Sequence, residues 1–175
     1  MGICLAIVNQ KGGVGKSTTA VNLGACLAES GKRVLLVDID PQGNATSGVG
    51  IDKRQLDGCM YDVLIDGRDI KEVILPTEVS GLEAAPATLE LAGAEIELVS
   101  AMSREYRLKG SLDGVKGSYD YILIDAPPSL GLLTINALSA ANAALVPIQC
   151  EYYALEGVSQ LVSTVSLVKE HLNPN

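Results

Sequence analysis

Tryptophan and phenylalanine are absent from the 175 residues, and six tyrosines supply the whole aromatic content of 3%. That removes the stacking platforms on which single-strand nucleic-acid binders lay successive bases. Histidine occurs once, as His171, which excludes histidine-centred triads and multi-histidine metal sites. The four cysteines, Cys4, Cys26, Cys59 and Cys150, lie 22, 33 and 91 positions apart. This fits neither a zinc knuckle nor a redox CxxC pair, and they read as reduced core thiols. No apolar run approaches the roughly 18 residues of a membrane span. The start, Met1–Leu5, carries neither the basic lead nor the cleavage site of a secretory signal, so the expected compartment is the cytoplasm. Basic residues are outnumbered, 13 Lys and Arg against 21 Asp and Glu, for a net charge of −8. A surface of that sign is no general nucleic-acid glove. Between Glu72 and Ser103 there is no Lys or Arg but six glutamates, and the densest basic stretch, Arg104, Arg107, Lys109 and Lys116, reads as a solvated helix face.

What remains is a hydrophobic chain (47%) with few charges (19%) and the length of one domain. Continuous apolar runs alternate with helical patterns, the signature of a parallel sheet covered on both faces. Ile3–Val8, Val34–Val37, Leu82–Ala85, Tyr121–Ile124 and Ala143–Ile148 read as strands. Helices are expected over Ser17–Ser30, with Gly31 to end the first, and over Leu89–Met102, Arg104–Val115, Leu132–Ala141 and Ala154–Leu172. Shorter helices are expected around Tyr61–Ile65 and Ile70–Leu75, and Gln42–Gly50 reads as a loop. The final amphipathic helix is followed by no strand, although a crossover helix over a parallel sheet normally delivers one.

The decisive segment is Lys11-Gly12-Gly13-Val14-Gly15-Lys16-Ser17-Thr18, between a buried strand and a helix. Glycines let successive backbone N–H groups face phosphate oxygens, and the helix N-terminus adds its positive end. Lys16 is a point charge for β- and γ-phosphates, Ser17 a hydroxyl ligand for Mg²⁺, and Thr18 a donor toward the α-phosphate. The general G-x-x-x-x-G-K-[ST] pattern is not met, because Gln10 stands where its first glycine belongs; a second lysine, Lys11, precedes Lys16 by five positions. A solvated charge is the bland reading of Lys11. Asp125 ends a hydrophobic strand, where P-loop proteins place the acid that holds Mg²⁺. Asp38 and Asp40 end the second strand, at the edge where open α/β sheets bind ligands. Capping a turn is the bland alternative for each.

The loop resembles the deviant Walker A sequence KGGxGK[ST]. Extended to Asn9–Thr19, and together with Val37-Asp38-Ile39-Asp40-Pro41-Gln42-Gly43-Asn44-Ala45-Thr46, Ile124-Asp125-Ala126-Pro127-Pro128-Ser129 and Pro147–Gly157, it resembles ParA/Soj-type chromosome or plasmid partition ATPases across essentially the whole chain. The resemblance implies a P-loop NTPase fold over residues 1–175, with a mostly parallel twisted sheet between helices. It also implies an ATP- and Mg²⁺-dependent sandwich homodimer in which Lys11 reaches the other subunit's nucleotide. Asp40 orients the attacking water, Asp38 lies beside it near Mg²⁺, and Ser17 and Asp125 hold the metal. Members bind DNA without sequence preference, associate with the nucleoid, and have slow hydrolysis stimulated by a ParB-type partner, with no membrane involved. Family members run well beyond 175 residues, so the chain is expected to lack C-terminal strands, part of the adenine pocket and the DNA-contacting residues. Three alternatives stay open. They are a MinD-like division regulator, a deviant-Walker small-molecule ligase, and a nucleotide-binding scaffold with little hydrolysis.

Overall fold

A computed structural model describes residues 2–149 and 154–174, with side chains of 154–157 left aside. Six strands form one sheet in the order β3-β4-β2-β5-β1-β6. They are β1 (Ile3–Ile7), β2 (Val34–Asp38), β3 (Leu75–Pro76), β4 (Leu82–Ala85), β5 (Tyr121–Asp125) and β6 (Ala143–Leu145). All pairings are parallel except β3 with β4. The helices are α1 (Lys16–Glu29), α2 (Asn44–Gly48), α3 (Leu91–Glu97), α4 (Arg107–Asp113), α5 (Leu132–Ala140) and α6 (Ala154–His171). Among the described residues no helix is long and apolar enough to cross a membrane.

The continuous apolar runs are explained by what covers each face. Alternate residues of one strand point to opposite sides. Cys4, Ala6, Leu35, Val37, Ile122 and Ile124 join the larger core beneath α3 to α6, while Ile7, Val34, Leu36 and Leu123 pack under α1 and α2. With both sides buried, β2 has no exposed residue at all. Apolar side chains are therefore favoured at every position rather than every second one.

The central strands carry the expectation well; the peripheral elements correct it. Gln42–Gly50 is not loop throughout, because Ala45 and Thr46 are buried and Asn44–Gly48 coils into α2. Ile70–Leu75 splits into a 3₁₀ turn, Ile70–Glu72, and the two-residue β3, whose antiparallel pairing with β4 is a tertiary event. The Tyr61–Ile65 region is a single π turn over Asp62–Asp66. Leu89–Met102 shrinks to α3 and a 3₁₀ turn, and β6 stops at Leu145. Of the thiols, Cys4 and Cys59 are buried as expected, but Cys26 lies exposed on α1. Cys150 lies outside the described residues, as does the Cys150–Tyr153 part of the Pro147–Gly157 motif.

Strand β5 lies between β1 and β2. Parallel register brings Asp38 opposite Asp125 and Ile7 opposite the same Asp125. Three chain segments, distant in sequence, therefore leave the same sheet edge side by side.

Candidate functional site

The loop that leaves β1 turns on two residues in the left-handed region, Gly13 (φ 73°) and Gly15 (φ 89°). Side chains rarely adopt that conformation. A Cβ placed on Gly12, Gly13 or Gly15 would meet nothing within 4 Å, so at Gly13 and Gly15 glycine is required by backbone conformation while the space in front of the loop stays open. Asn9 pins the loop from behind: its Nδ2 donates to the Pro147 carbonyl (2.7 Å) and its Oδ1 accepts from the Lys11 N–H (3.0 Å). Gln149 Nε2 donates to the Gly13 carbonyl at 3.3 Å. Helix α1 starts at Lys16 with no side-chain cap on its first N–H groups. Uncapped N–H groups at a helix start are an anion site when the space before them is open.

Lys16, Asp40 and Asp125 converge at this edge. Lys16 is only 7% exposed. Burial pulls its pKa below the ordinary lysine value, and the attraction of Asp125 and Asp40 opposes that shift. Asp125 is fully buried and neither carboxylate oxygen has a hydrogen-bond partner among the described residues. Desolvation pushes it up to about 7; the nearby Ser17 hydroxyl opposes, Asp38 and Asp40 add to the rise, and Lys16 opposes. Ser17 influences Asp125 without reaching a proper hydrogen bond. Two buried acceptor oxygens without a donor, next to a hydroxyl, form a fitting donor set for a hard divalent cation held directly or through water.

Asp38 is placed differently from Asp125, although the two share a register row. One of its oxygens accepts the Asp40 N–H (3.1 Å); the other accepts both the Thr46 N–H (2.8 Å) and the Thr46 hydroxyl (2.7 Å). Its carboxylate is engaged with its own loop, where burial raises it to about 6 against those hydrogen bonds. Asp40 is 5% exposed, and its side chain accepts the Gln42 N–H at 2.9 Å. Lys11 is exposed at the loop tip, and Val14 and Thr18 complete the segment. Three of the four residues of the basic stretch have local partners. Arg104 pairs with Glu105, Lys116 with Asp113, and Lys109 sits 5.9 Å from the Tyr106 ring centre.

A protein-family model described as an AAA domain matches residues 2–175. The sporulation initiation inhibitor protein Soj of Bacillus subtilis is 65% identical over 173 residues, covering 99% of this chain and 68% of that protein. The chain belongs to the ParA/Soj family of partitioning ATPases. A second ParA/Soj relative, the chromosome partitioning protein ParA of Myxococcus xanthus, is 56% identical, covering 100% of this chain and 62% of that protein. The chain thus spans about two thirds of the length of these relatives. A crystal structure named cobyrinic acid a,c-diamide synthase, from Mycobacterium smegmatis with bound ADP and magnesium, superposes with a TM-score of 0.95. It is 44% identical, and the match covers 99% of this chain and 71% of that one. The mostly parallel ParA/Soj sheet expected from the sequence is the sheet found, with helices on both faces.

Three contributors to the ParA/Soj site were not singled out by sequence. Asn9 and Thr46 stand inside the motifs, yet their partners Pro147, Asp38 and Ala87 are identified only by the fold. Gln149 lies in the fourth motif, and its contact with Gly13 spans 136 positions. Polar residues within a motif that have no assigned ligand are the available signal for such clamps.

Proposed function

We propose that this chain binds ATP with Mg²⁺ and hydrolyses it slowly, as the nucleotide switch of a DNA-partition system in the cytoplasm. The observation that carries the reading is Asp125. A fully buried carboxylate with two unsatisfied oxygens, beside Lys16 and Ser17, is costly unless a cation belongs there. The open, uncapped loop Gly12–Thr18 takes the phosphates through backbone N–H groups, with Lys16 neutralising the β- and γ-oxygens. Ser17 and Asp125 hold the metal. Mg²⁺, when bound, offsets negative charge on the phosphate oxygens. Asp38 is assigned to the loop rather than the metal, because both its oxygens already accept hydrogen bonds. Asp40, held at the cleft by its own turn, orients the attacking water.

Lys11 lies at the exposed tip, suited to reach the nucleotide of a second subunit in a face-to-face homodimer. Only ATP presents a γ-phosphate for both lysines, so the dimer is the nucleotide-dependent state. Non-specific DNA binding and stimulation by a ParB-type partner complete the reading as the family resemblance implies them; the name of one relative, chromosome partitioning protein ParA, supports the partition role alone. A ligase acting on a small carboxylic acid is the second reading, favoured by the likeness to the structure named as a synthase.

Calorimetry with ATP and Mg²⁺ should show binding that Lys16→Ala abolishes, and unchanged affinity in that variant would overturn the phosphate site. ATP hydrolysis is then followed with duplex DNA or with a panel of small carboxylic acids. Stimulation by DNA supports partition, and hydrolysis dependent on one acid supports the ligase.

A further inference from the structure

Thr46 is 1% exposed, carries no charge and lies on the third residue of α2. Its hydroxyl nevertheless links two segments that belong to different strands. The Oγ donates to Asp38 at 2.7 Å and accepts the Ala87 N–H at 2.9 Å. A hydroxyl can do both at once because it has one proton and two lone pairs. Its backbone N–H adds a second bond, 2.8 Å, to the same Asp38 oxygen. The other Asp38 oxygen accepts the Asp40 N–H. An unbroken path therefore runs from the chain after β4, through Thr46 and Asp38, to the backbone of Asp40.

The surrounding loop has the shape this path needs. Gly43 adopts φ 60°, and a Cβ there would come within 2.8 Å of the Ala87 carbonyl and of the Lys53 side chain. Lys53 Nζ donates to the Gln42 carbonyl at 2.7 Å, holding the outer side of the same turn. Ala87 is itself fully buried, so its N–H has no access to solvent if Thr46 is lost.

Resting on the reading of Asp40 as the group that orients water, we propose that Thr46 and Asp38 are positioning residues for hydrolysis. Their hydrogen bonds fix the Asp38–Thr46 loop to the end of β4 and thereby set the place of the Asp40 carboxylate. Neither touches nucleotide. Their loss affects turnover rather than binding, since the Gly12–Thr18 loop is held separately through Asn9.

The test uses the 175-residue chain, with single-turnover hydrolysis at saturating ATP and Mg²⁺ and ATP affinity by calorimetry. Thr46→Val keeps the shape but removes the hydroxyl. Its hydrolysis rate should fall roughly 10- to 100-fold, the cost of a displaced reacting group, while affinity changes less than about threefold. Thr46→Ser should restore the rate, which a merely space-filling role of the methyl group would not allow. If Thr46→Val fails to fold, Asp38→Asn takes its place. The amide keeps only one acceptor oxygen, so its NH2 must face either the Asp40 N–H or the Thr46 donors; either way one link of the path is lost, and the same loss of rate at preserved affinity should follow. A wild-type rate in the folded variant overturns the proposal, as does an equal loss of rate and affinity. Asp40→Ala is run alongside: if it hydrolyses at the wild-type rate, the role of Asp40 itself is refuted. If it is inactive while Thr46→Val and Asp38→Asn are normal, only the positioning path fails.

Discussion

Replacing Asp125 by Asn should stabilise the metal-free protein and weaken the ATP-loaded one. The carboxyl is fully buried, has no hydrogen-bond partner among the described residues, and is pushed from 3.8 to about 7, mainly by desolvation. With each factor of ten in an ionisation constant equal to about 1.4 kcal/mol, keeping this group ionised in the folded state costs about 4 kcal/mol near pH 7. Water admitted to the cleft and relaxation of its walls return part of that cost, leaving an expected gain for the neutral amide of about 2 kcal/mol. For a chain of this length that is a rise in melting temperature of about 4–8 °C. The folded state has the higher pKa, so it binds more protons than the unfolded state between about pH 4 and pH 7. Stability of the parent therefore falls as pH rises through that window, and the advantage of Asn grows with it. Thermal melts without nucleotide or metal should show a gain at pH 8 that is roughly halved at pH 5.5. Adding ATP and Mg²⁺ should reverse the order, because only the parent gains the stabilisation of a bound cation. An Asp125→Asn protein no more stable than the parent at pH 8, or a gain that does not vary with pH, would refute the account of this carboxylate as a strained, cation-seeking group.

Other expectations follow from the same geometry. Asp40→Ala should retain ATP affinity and lose turnover, trapping any ATP-dependent dimer; hydrolysis at the wild-type rate would contradict its assignment. Lys11→Ala should impair dimerisation more than nucleotide binding, measured by light scattering with ATP, and dimerisation like the parent's would count against a reach across the interface. Among the three described cysteines, alkylation mapped by mass spectrometry should mark Cys26 first in the native protein. Cys4, which burial pushes up to about 12, and Cys59, raised by the same cause, should react only on unfolding.

The sheet was legible where burial alone decides structure. Val34–Val37 and Tyr121–Ile124 are apolar at every position because helices cover both faces, and each was placed to within one residue. Elements made by tertiary contact were not legible. Leu75–Pro76 becomes a strand only by pairing with β4, and α2 forms where Asp38 accepts the Thr46 N–H. At the site, the lysines, glycines and strand-end aspartates were readable because phosphate chemistry demands those types at fixed spacing. Their differing environments were not. Asp38 and Asp125 look alike in sequence and lie opposite one another in register, yet one is fully hydrogen-bonded and the other has no donor. That difference arises from Thr46, eight positions beyond Asp38, which donates twice to one Asp38 oxygen, whereas the Ser17 hydroxyl beside Asp125 makes no hydrogen bond to it.

The position of β5 between β1 and β2 also has a kinetic consequence. Lys16 and Asp125 are brought together from 109 positions apart, and Asp125 meets the Asp40 turn only once β5 has been inserted between strands that precede it in the chain. Non-local parallel pairing of this kind is slow to form, since loop closure must come before the contacts that reward it. A partly folded chain lacking β5 has no composite cleft for nucleotide to recognise. Ligand should therefore act after the main folding barrier, slowing escape from the native state while leaving the rate of reaching it nearly unchanged.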